Sequence, residues 1–426
     1  MFMVQGILII VVFFVFAALM FRQKLSTFLA LFLFATLIPI IVMVPLTGPN
    51  GLLQVIEGGA TRLASAIMAL IFGAWLSEVM NETGISKDII RRASELGGDN
   101  PLAVAIIMGG VVAVLFTTLT GLGSHIMVAM LVLPIFSAVG IKPLQAACIL
   151  LMARATGGIF NLFAWQLYIN VTGVPLETVR NLAAIISVSC AVVMVFFIVY
   201  QLKLKKRTAW AMPDASVSGN VEPEAKKVPL YALITPLIPF PLVIFFSWPI
   251  VPALVVGVLY GVITTSARNM LHILIKTVTE GVKMAAPALL LMIVIGMVLA
   301  AVGIPAVSES LLTILAPILP SNAISFALFF IILAPLSLYR GPLNLWGMGA
   351  GVIGVMVTAG TLPAIAVVSG FISLNVIQIA ADPTNTHNVW TADFLGIEVN
   401  DITKMSIVPL WIAAIVSIMI GAFTLF

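Results

Sequence analysis

The chain has 426 residues, of which 62% are hydrophobic and 8% charged. Soluble domains average roughly 45–50% and 25%, so water cannot be the solvent for most of this surface and a water-soluble fold is excluded. The net charge of +4 does not indicate a nucleic-acid partner, because Lys203, Lys205, Lys206, Arg207, Lys226 and Lys227 gather around one polar stretch, the pattern of a cytoplasmic loop.

Apolar runs near the roughly 18 residues that read as a bilayer span begin at 6–21 and 27–46, and about seven such segments are expected in each half. Phe21-Arg22-Gln23-Lys24 reads as a membrane-edge anchor and not as a cleavage site, so the first segment is expected to be retained. Glu57, followed by Gly58, reads as helix-start charge. The run Thr117-Thr118-Leu119-Thr120-Gly121-Leu122-Gly123-Ser124-His125 interrupts an apolar segment with hydroxyls and helix breakers. Irregular backbone at membrane depth survives only where protein or a wet cavity satisfies it, so such breaks mark sites unless they are loops at the membrane surface.

Arg154 follows Pro143 by eleven positions, roughly 16 Å of helix and about half the hydrocarbon thickness. An arginine at that depth needs an anionic substrate, an acidic partner such as Asp382, or a snorkelling path to the surface. A second break, Ala155-Thr156-Gly157-Gly158-Ile159-Phe160-Asn161, follows it. Cys148 and Cys190 sit in apolar runs without metal spacing and read as packing.

Beyond the polar linker the pattern returns. Shifting by 223 residues aligns Ala30-Leu31 with Ala253-Leu254, Glu57-Gly58 with Glu280-Gly281, and Gly73 with Gly296. With short gaps Gly121, Gly140, Pro143 and Ala146 then face Gly341, Gly360, Pro363 and Ala366, and Asn161 faces Asn385. The two later breaks, Ser337-Leu338-Tyr339-Arg340-Gly341-Pro342-Leu343-Asn344 and Ala381-Asp382-Pro383-Thr384-Asn385-Thr386-His387-Asn388, match the first two. Trp165 and Trp390 follow the second break of each half, as cavity walls or interfacial residues. Basic residues fall in alternate loops, Arg22 and Lys24, then Lys87, Arg91 and Arg92, whereas in the second half Arg268, Lys276 and Lys283 occupy the intervening one. Equivalent loops are therefore expected on opposite sides, with both termini outside the cytoplasm. The expected fold is an all-α polytopic membrane protein of two inverted-topology repeats, 1–202 and 228–426, joined by a cytoplasmic linker at 203–227, with broken or re-entrant helices at the midplane.

These residues resemble the ion transporter superfamily, which includes gluconate permeases, citrate transporters, divalent-anion/sodium symporters and some sodium/proton antiporters. Thr384-Asn385-Thr386 is similar to the Ser-Asn-Thr type signature that binds sodium and carboxylate in the divalent-anion branch, with Gly123-Ser124 and Asn161 as the first-half counterpart. Ile56-Glu57-Gly58-Gly59 is similar to the gluconate-permease pattern. The first half has no Ser-Asn-Thr tripeptide, a departure from a twofold sodium arrangement. The resemblance implies alternating access and a homodimer.

The functional expectation is a secondary transporter of the plasma (inner) membrane, coupling H+ or Na+ to symport of a mono- or dicarboxylate, without a cofactor. Substrate contacts are expected from Ser124, Arg154, Asn161, Arg340, Asn344, Thr384 and Asn385, and coupling-ion contacts from Gly123, His125, Asp382, Thr386 and His387. A sodium ion would lie among Ser124, Asn161, Thr384 and Asn385. Gly121, Gly157, Gly158 and Pro383 would keep the backbone open. The alternative is a sodium/proton antiporter in which Asp382 exchanges cations and Arg154 is its structural counter-ion. No His-Glu-x-x-His pair or nucleophile elbow supports a hydrolase, and paired deep breaks fit a gated central site better than a passive channel.

Overall fold

The computed structural model describes residues 1–22, 24–204 and 227–426, so most of the expected linker lies outside the described residues. Every regular element among them is helical. The first half comprises α1 (Phe2–Phe21), α2 (Thr27–Ile41), α3 (Leu52–Thr61), α4 (Ala64–Glu82), α5 (Ile85–Gly97), α6 (Pro101–Phe116), α7 (Gly121–Ala138), α8 (Pro143–Ile159), α9 (Leu162–Thr172) and α10 (Leu176–Val199). In the second half a 3-10 segment, Leu230–Leu237, leads into α11 (Pro239–Ile244), α12 (Ile250–Ser266), α13 (Met270–Val302), α14 (Pro305–Leu315), α15 (Ala323–Leu333), α16 (Gly349–Ala359), α17 (Ala364–Ala380), α18 (Thr386–Leu395) and α19 (Val399–Thr424).

Local chemistry sets the boundaries. Asn100 opens α6, its side-chain oxygen accepting from the Leu102 amide at 2.9 Å, with Pro101 preset for the first turn. Gly173 and Gly396, aligned between the halves, close α9 and α18 with φ of 74° and 62°, a region that strains other residues.

Seven helical stretches among the described residues are long and apolar enough to cross a bilayer, or eight if the bent pair α8–α9 is one span. This corrects the expectation of about seven per half. The apolar runs are present, but several form shorter helices, such as the 15 residues of α2 and the 16 of α6, the latter ending at the first break. Large apolar side chains on α1, such as Val11 and Phe14, and on α10, such as Val188 and Phe196, remain exposed on the bundle's outside, as lipid contact requires.

The two halves interlock. α1 packs on α14, while the 3-10 segment that occupies the place of α1 in the second half packs on α5. α2 lies against α13 as α12 lies against α4, and α9 meets α16 as α18 meets α7. Each contact has an exchanged counterpart, which is how an approximate two-fold axis between repeats reads in packing. Near that axis backbones touch: a Cβ on Gly296 would lie 2.3 Å from the Gly59 carbonyl oxygen, and one on Gly281 only 3.0 Å from backbone atoms of Ala74 and Trp75. Gly296→Ala is therefore expected to force α13 off α3 and destabilise the fold by about 1–3 kcal/mol. An unchanged unfolding midpoint in detergent would remove the contact's importance.

Two charged features depart from expectation. Glu280 does not open a helix but lies within the 33-residue α13, ion-paired with Lys283 at 2.7 Å, and Glu57 lies inside α3. In α5 the buried Asp88 carboxylate draws in both Arg91 and Arg92. Burial raises the Asp88 carboxyl, but the hydrogen bonds from these arginines outweigh it and hold the group below the usual carboxylate range.

Candidate functional site: a cationic cavity between the breaks

Each half ties its two breaks together with an asparagine. After α6 the chain turns through 117–120, where the Thr120 amide donates to Ser77 Oγ at 2.9 Å, and restarts as α7. α8 and α9 meet at a 55° bend. There Asn161 caps α9, accepting from the Phe163 amide at 3.0 Å, while its Nδ2 donates to the carbonyls of Phe116 (3.0 Å) and Leu119 (3.3 Å) in the first break. Trp165 is fully buried behind this bend and donates to the Ile159 carbonyl at 3.3 Å; it does not line the cavity.

The second half builds the same tie around a carboxylate. Past α15 the chain tightens, and Tyr339 and Arg340 take φ of 55° and 53°, left-handed values that cost backbone energy in residues with a Cβ. Asp382 Oδ1 accepts from the Tyr339 amide (3.0 Å), the Thr384 amide (2.9 Å) and Thr384 Oγ1 (2.7 Å). Its Oδ2 accepts from the Arg340 amide (3.3 Å) and Asn344 Nδ2 (3.1 Å). Asn385 caps α18, accepting from the His387 amide at 3.1 Å while its Nδ2 donates to the Gln378 carbonyl at 3.1 Å.

Between the breaks lies a cavity of about 260 Å³. Arg154 and Arg340 both line it, with the amides of Asn161, Asn344, Asn375, Gln378 and Asn385 and the rings of Phe116 and Trp346. Arg154 sits 5.3 Å from the centroid of the Phe116 ring. Its Nη2 contacts His387 Nε2 at 2.9 Å, and its Nε is buried without a partner. Among the described residues it forms no ion pair, and Asp382 is committed to the five donors named above. Arg340 donates from Nη1 to the Trp346 carbonyl at 3.0 Å. Thr120 Oγ1, Asn375 Oδ1 and Gln378 Oε1 are also buried without partners. The starts of α7, α9 and α18 all border this space and add their partial positive charge. Among the described residues Asp382 is the only acidic one in the lining. Such a site favours an anion.

Of the residues expected from sequence, Arg154, Asn161, Arg340, Asn344, Asp382, Asn385, Thr386 and His387 are brought together around this cavity. Four are not in its lining. Ser124 Oγ donates to the Thr120 carbonyl at 2.9 Å, Thr384 Oγ1 serves Asp382, and the side-chain oxygens of Asn161 and Asn385 accept the amides of Phe163 and His387, so the four expected sodium ligands are not gathered as a cation site. His125 contacts Thr391 Oγ1 at 2.8 Å behind the wall. Gly123 gives room to Met284, whose Cε would lie 1.9 Å from a Cβ there. Gly157 packs on α6 rather than opening the site, with the Ala113 carbonyl oxygen 2.0 Å from where a Cβ would be. Asn375 and Gln378 were missed, though two amides three apart in an otherwise apolar helix are the available sequence signal. Trp346 and the α13 residues Met284 and Pro287 carried no such mark.

Interlocked repeats with interrupted helices around a buried cationic cavity define an integral, multi-pass membrane protein with the architecture of a transporter. Residues 59–256, somewhat less than half of the chain, match the DcuC family, described as C4-dicarboxylate anaerobic carriers. No curated relative matches the sequence. Among solved structures, the YdaH transporter of Alcanivorax borkumensis, described as having an unusual topology, is similar with a TM-score of 0.63 at 12% identity, over 93% of this chain and 96% of its own. MtrF of Neisseria gonorrhoeae, described as illuminating a class of antimetabolite efflux pumps, is similar with a TM-score of 0.70 at 11% identity, over 94% and 95%. At these identities the likeness is one of fold. These matches support the expectation of a membrane transporter family, while the relation to the gluconate and citrate branches is looser.

Proposed function

We propose that this protein is a secondary carrier for small dicarboxylates, coupled to a cation and working by alternating access in the plasma membrane, as a homodimer. The observation that carries the reading is Arg154: a guanidinium half-buried at the cavity wall, its Nε enclosed without a partner and no acidic partner among the described residues. A buried, unpaired charge is expensive unless a ligand completes it. With Arg340 on the same cavity, two guanidinium forks suit the two ends of a diacid. The cavity lies near the lower end of the roughly 300–1,000 Å³ usual for small-molecule sites, a size suited to a four-carbon chain. The match of residues 59–256, which include Arg154, to C4-dicarboxylate carriers supports the same substrate class. A sodium/proton antiporter needs a carboxylate free to exchange cations, and the five donors on Asp382 weigh against that alternative.

Proteoliposomes holding the purified chain are expected to accumulate labelled succinate, with other four-carbon diacids competing more than about tenfold better than lactate, since losing one charged contact removes about 1.5–3 kcal/mol. Currents on sodium or pH steps without uptake of any diacid would instead establish the antiporter.

A further inference from the structure

The backbone of Gly121 faces the His387 imidazole, and the side chains of Asn385 and Arg154 define its proton positions. Asn385 Nδ2 faces two carbonyl oxygens, those of Gln378 (3.1 Å) and Ile379 (3.4 Å), so the Asn385 oxygen is the atom turned to the histidine. That oxygen lies 2.7 Å from His387 Nδ1, which must therefore carry the hydrogen and donate. Nε2 is then a bare lone pair, and it accepts from Arg154 Nη2 at 2.9 Å. A proton on Nε2 would set two donors against each other. Protonation of His387 and its contact with Arg154 are mutually exclusive.

Resting on the reading of the cavity as a dicarboxylate site, we propose that His387 Nε2 is the proton-binding site that couples transport, with Arg154 as the group that masks it. A substrate carboxylate accepts the guanidinium N–H groups and draws Arg154 off. The exposed Nε2 then takes one proton from water and becomes an imidazolium beside the bound dianion, with Nδ1–H still held by Asn385. On release the steps reverse: Nε2 returns its proton to water and accepts from Arg154 again. By reciprocity, whatever factor the anion adds to proton affinity the proton adds to anion affinity. Cation and substrate therefore load together, as symport requires.

The surrounding charges fit this assignment. Arg154 of α8 faces His387 directly, and Arg340 and Asp382 line the same cavity, the latter occupied by its five donors. His125 of α7 packs edge-on at 5.2 Å between ring centroids. Thr391 Oγ1 donates to the His387 carbonyl at 2.8 Å, so it accepts from His125 Nε2–H, and the remaining nitrogen of His125 lies outside the cavity lining. On α18 itself Asp393 is exposed, and the charged residues of α19, Asp401 and Lys404, pair with each other at 2.8 Å near its exposed start.

The test is calorimetry of succinate binding to the full chain in detergent, in buffers of different ionisation enthalpy. The wild type is expected to take up close to one proton per succinate near neutral pH, and its affinity to fall up to about tenfold per unit between about pH 7 and 9. His387→Gln, which can still accept from Arg154 but holds no proton, is expected to bind succinate with no proton uptake and a flat pH profile. His272→Gln, at the exposed start of α13, should behave as wild type. Undiminished proton uptake in His387→Gln overturns the proposal. So does wild-type binding with no proton uptake and a flat profile, a result that needs no variant to fold and leaves the dicarboxylate reading standing. A wild type that binds no diacid at all defeats that reading first, and the coupling scheme with it.

Discussion

Replacing Arg154 with alanine is expected to lower succinate uptake by proteoliposomes about a hundredfold or more while the protein stays folded. The guanidinium is half-buried with its Nε enclosed and unpartnered, and a substrate carboxylate would complete its spare donors with charge-assisted hydrogen bonds of about 1.5–3 kcal/mol each. Two such bonds lost together reach that factor. Stability should change little, or rise, because the substitution removes a desolvated charge that forms no ion pair among the described residues. Arg154→Lys keeps the charge but replaces a planar fork by a point donor, which serves His387 and a carboxylate poorly at once, so an intermediate loss is expected. Uptake by Arg154→Ala within about threefold of wild type, below the worth of a single charge-assisted bond, would take this residue out of the site.

Asp382→Ala has the largest expected effect on stability. It leaves five donors without an acceptor, two of them the amides of Tyr339 and Arg340, whose left-handed backbone the carboxylate holds in place. Removing one member of a buried charged network destabilises by about 3–5 kcal/mol, and Arg340 would lose its position on the cavity with it. Asp382→Asn is expected to do less harm, since one oxygen remains, but its amide nitrogen must face other N–H groups. Thermal unfolding in detergent, read beside succinate uptake, separates the possibilities. Wild-type stability with transport abolished in Asp382→Asn would give this carboxylate a coupling role instead of a structural one.

All four breaks and the prominence of Arg154 were legible in the sequence because each defies its surroundings: polar side chains and helix breakers are expensive in hydrocarbon, so their presence is informative. Asn161 and Asn385 were found for the same reason, although both proved to cap helices as well as line the cavity, and Asn161 also ties its two breaks together. Direction was not legible. Ser124 and Thr384 have the chemistry of ligands, but a hydroxyl in a first turn or beside an aspartate has a nearer backbone or carboxylate partner than the cavity. Nor was rotation legible: whether Asn375 and Gln378 face a cavity or a neighbouring helix depends on how α17 is turned, which its almost uniformly apolar sequence does not encode. The role of Asp382 escaped because three of its five partners are backbone amides, which every residue but proline possesses.

The exchanged packing of the halves also governs how the protein can be made. The helix Phe2–Phe21 has a principal partner in Pro305–Leu315, nearly three hundred residues later in the chain. At about 5–20 residues per second the nascent chain waits roughly 15–60 s for that partner to emerge. Through that interval the N-terminal helix must rest in lipid or against the insertion machinery, and truncation anywhere before α14 should leave it without its intended neighbour.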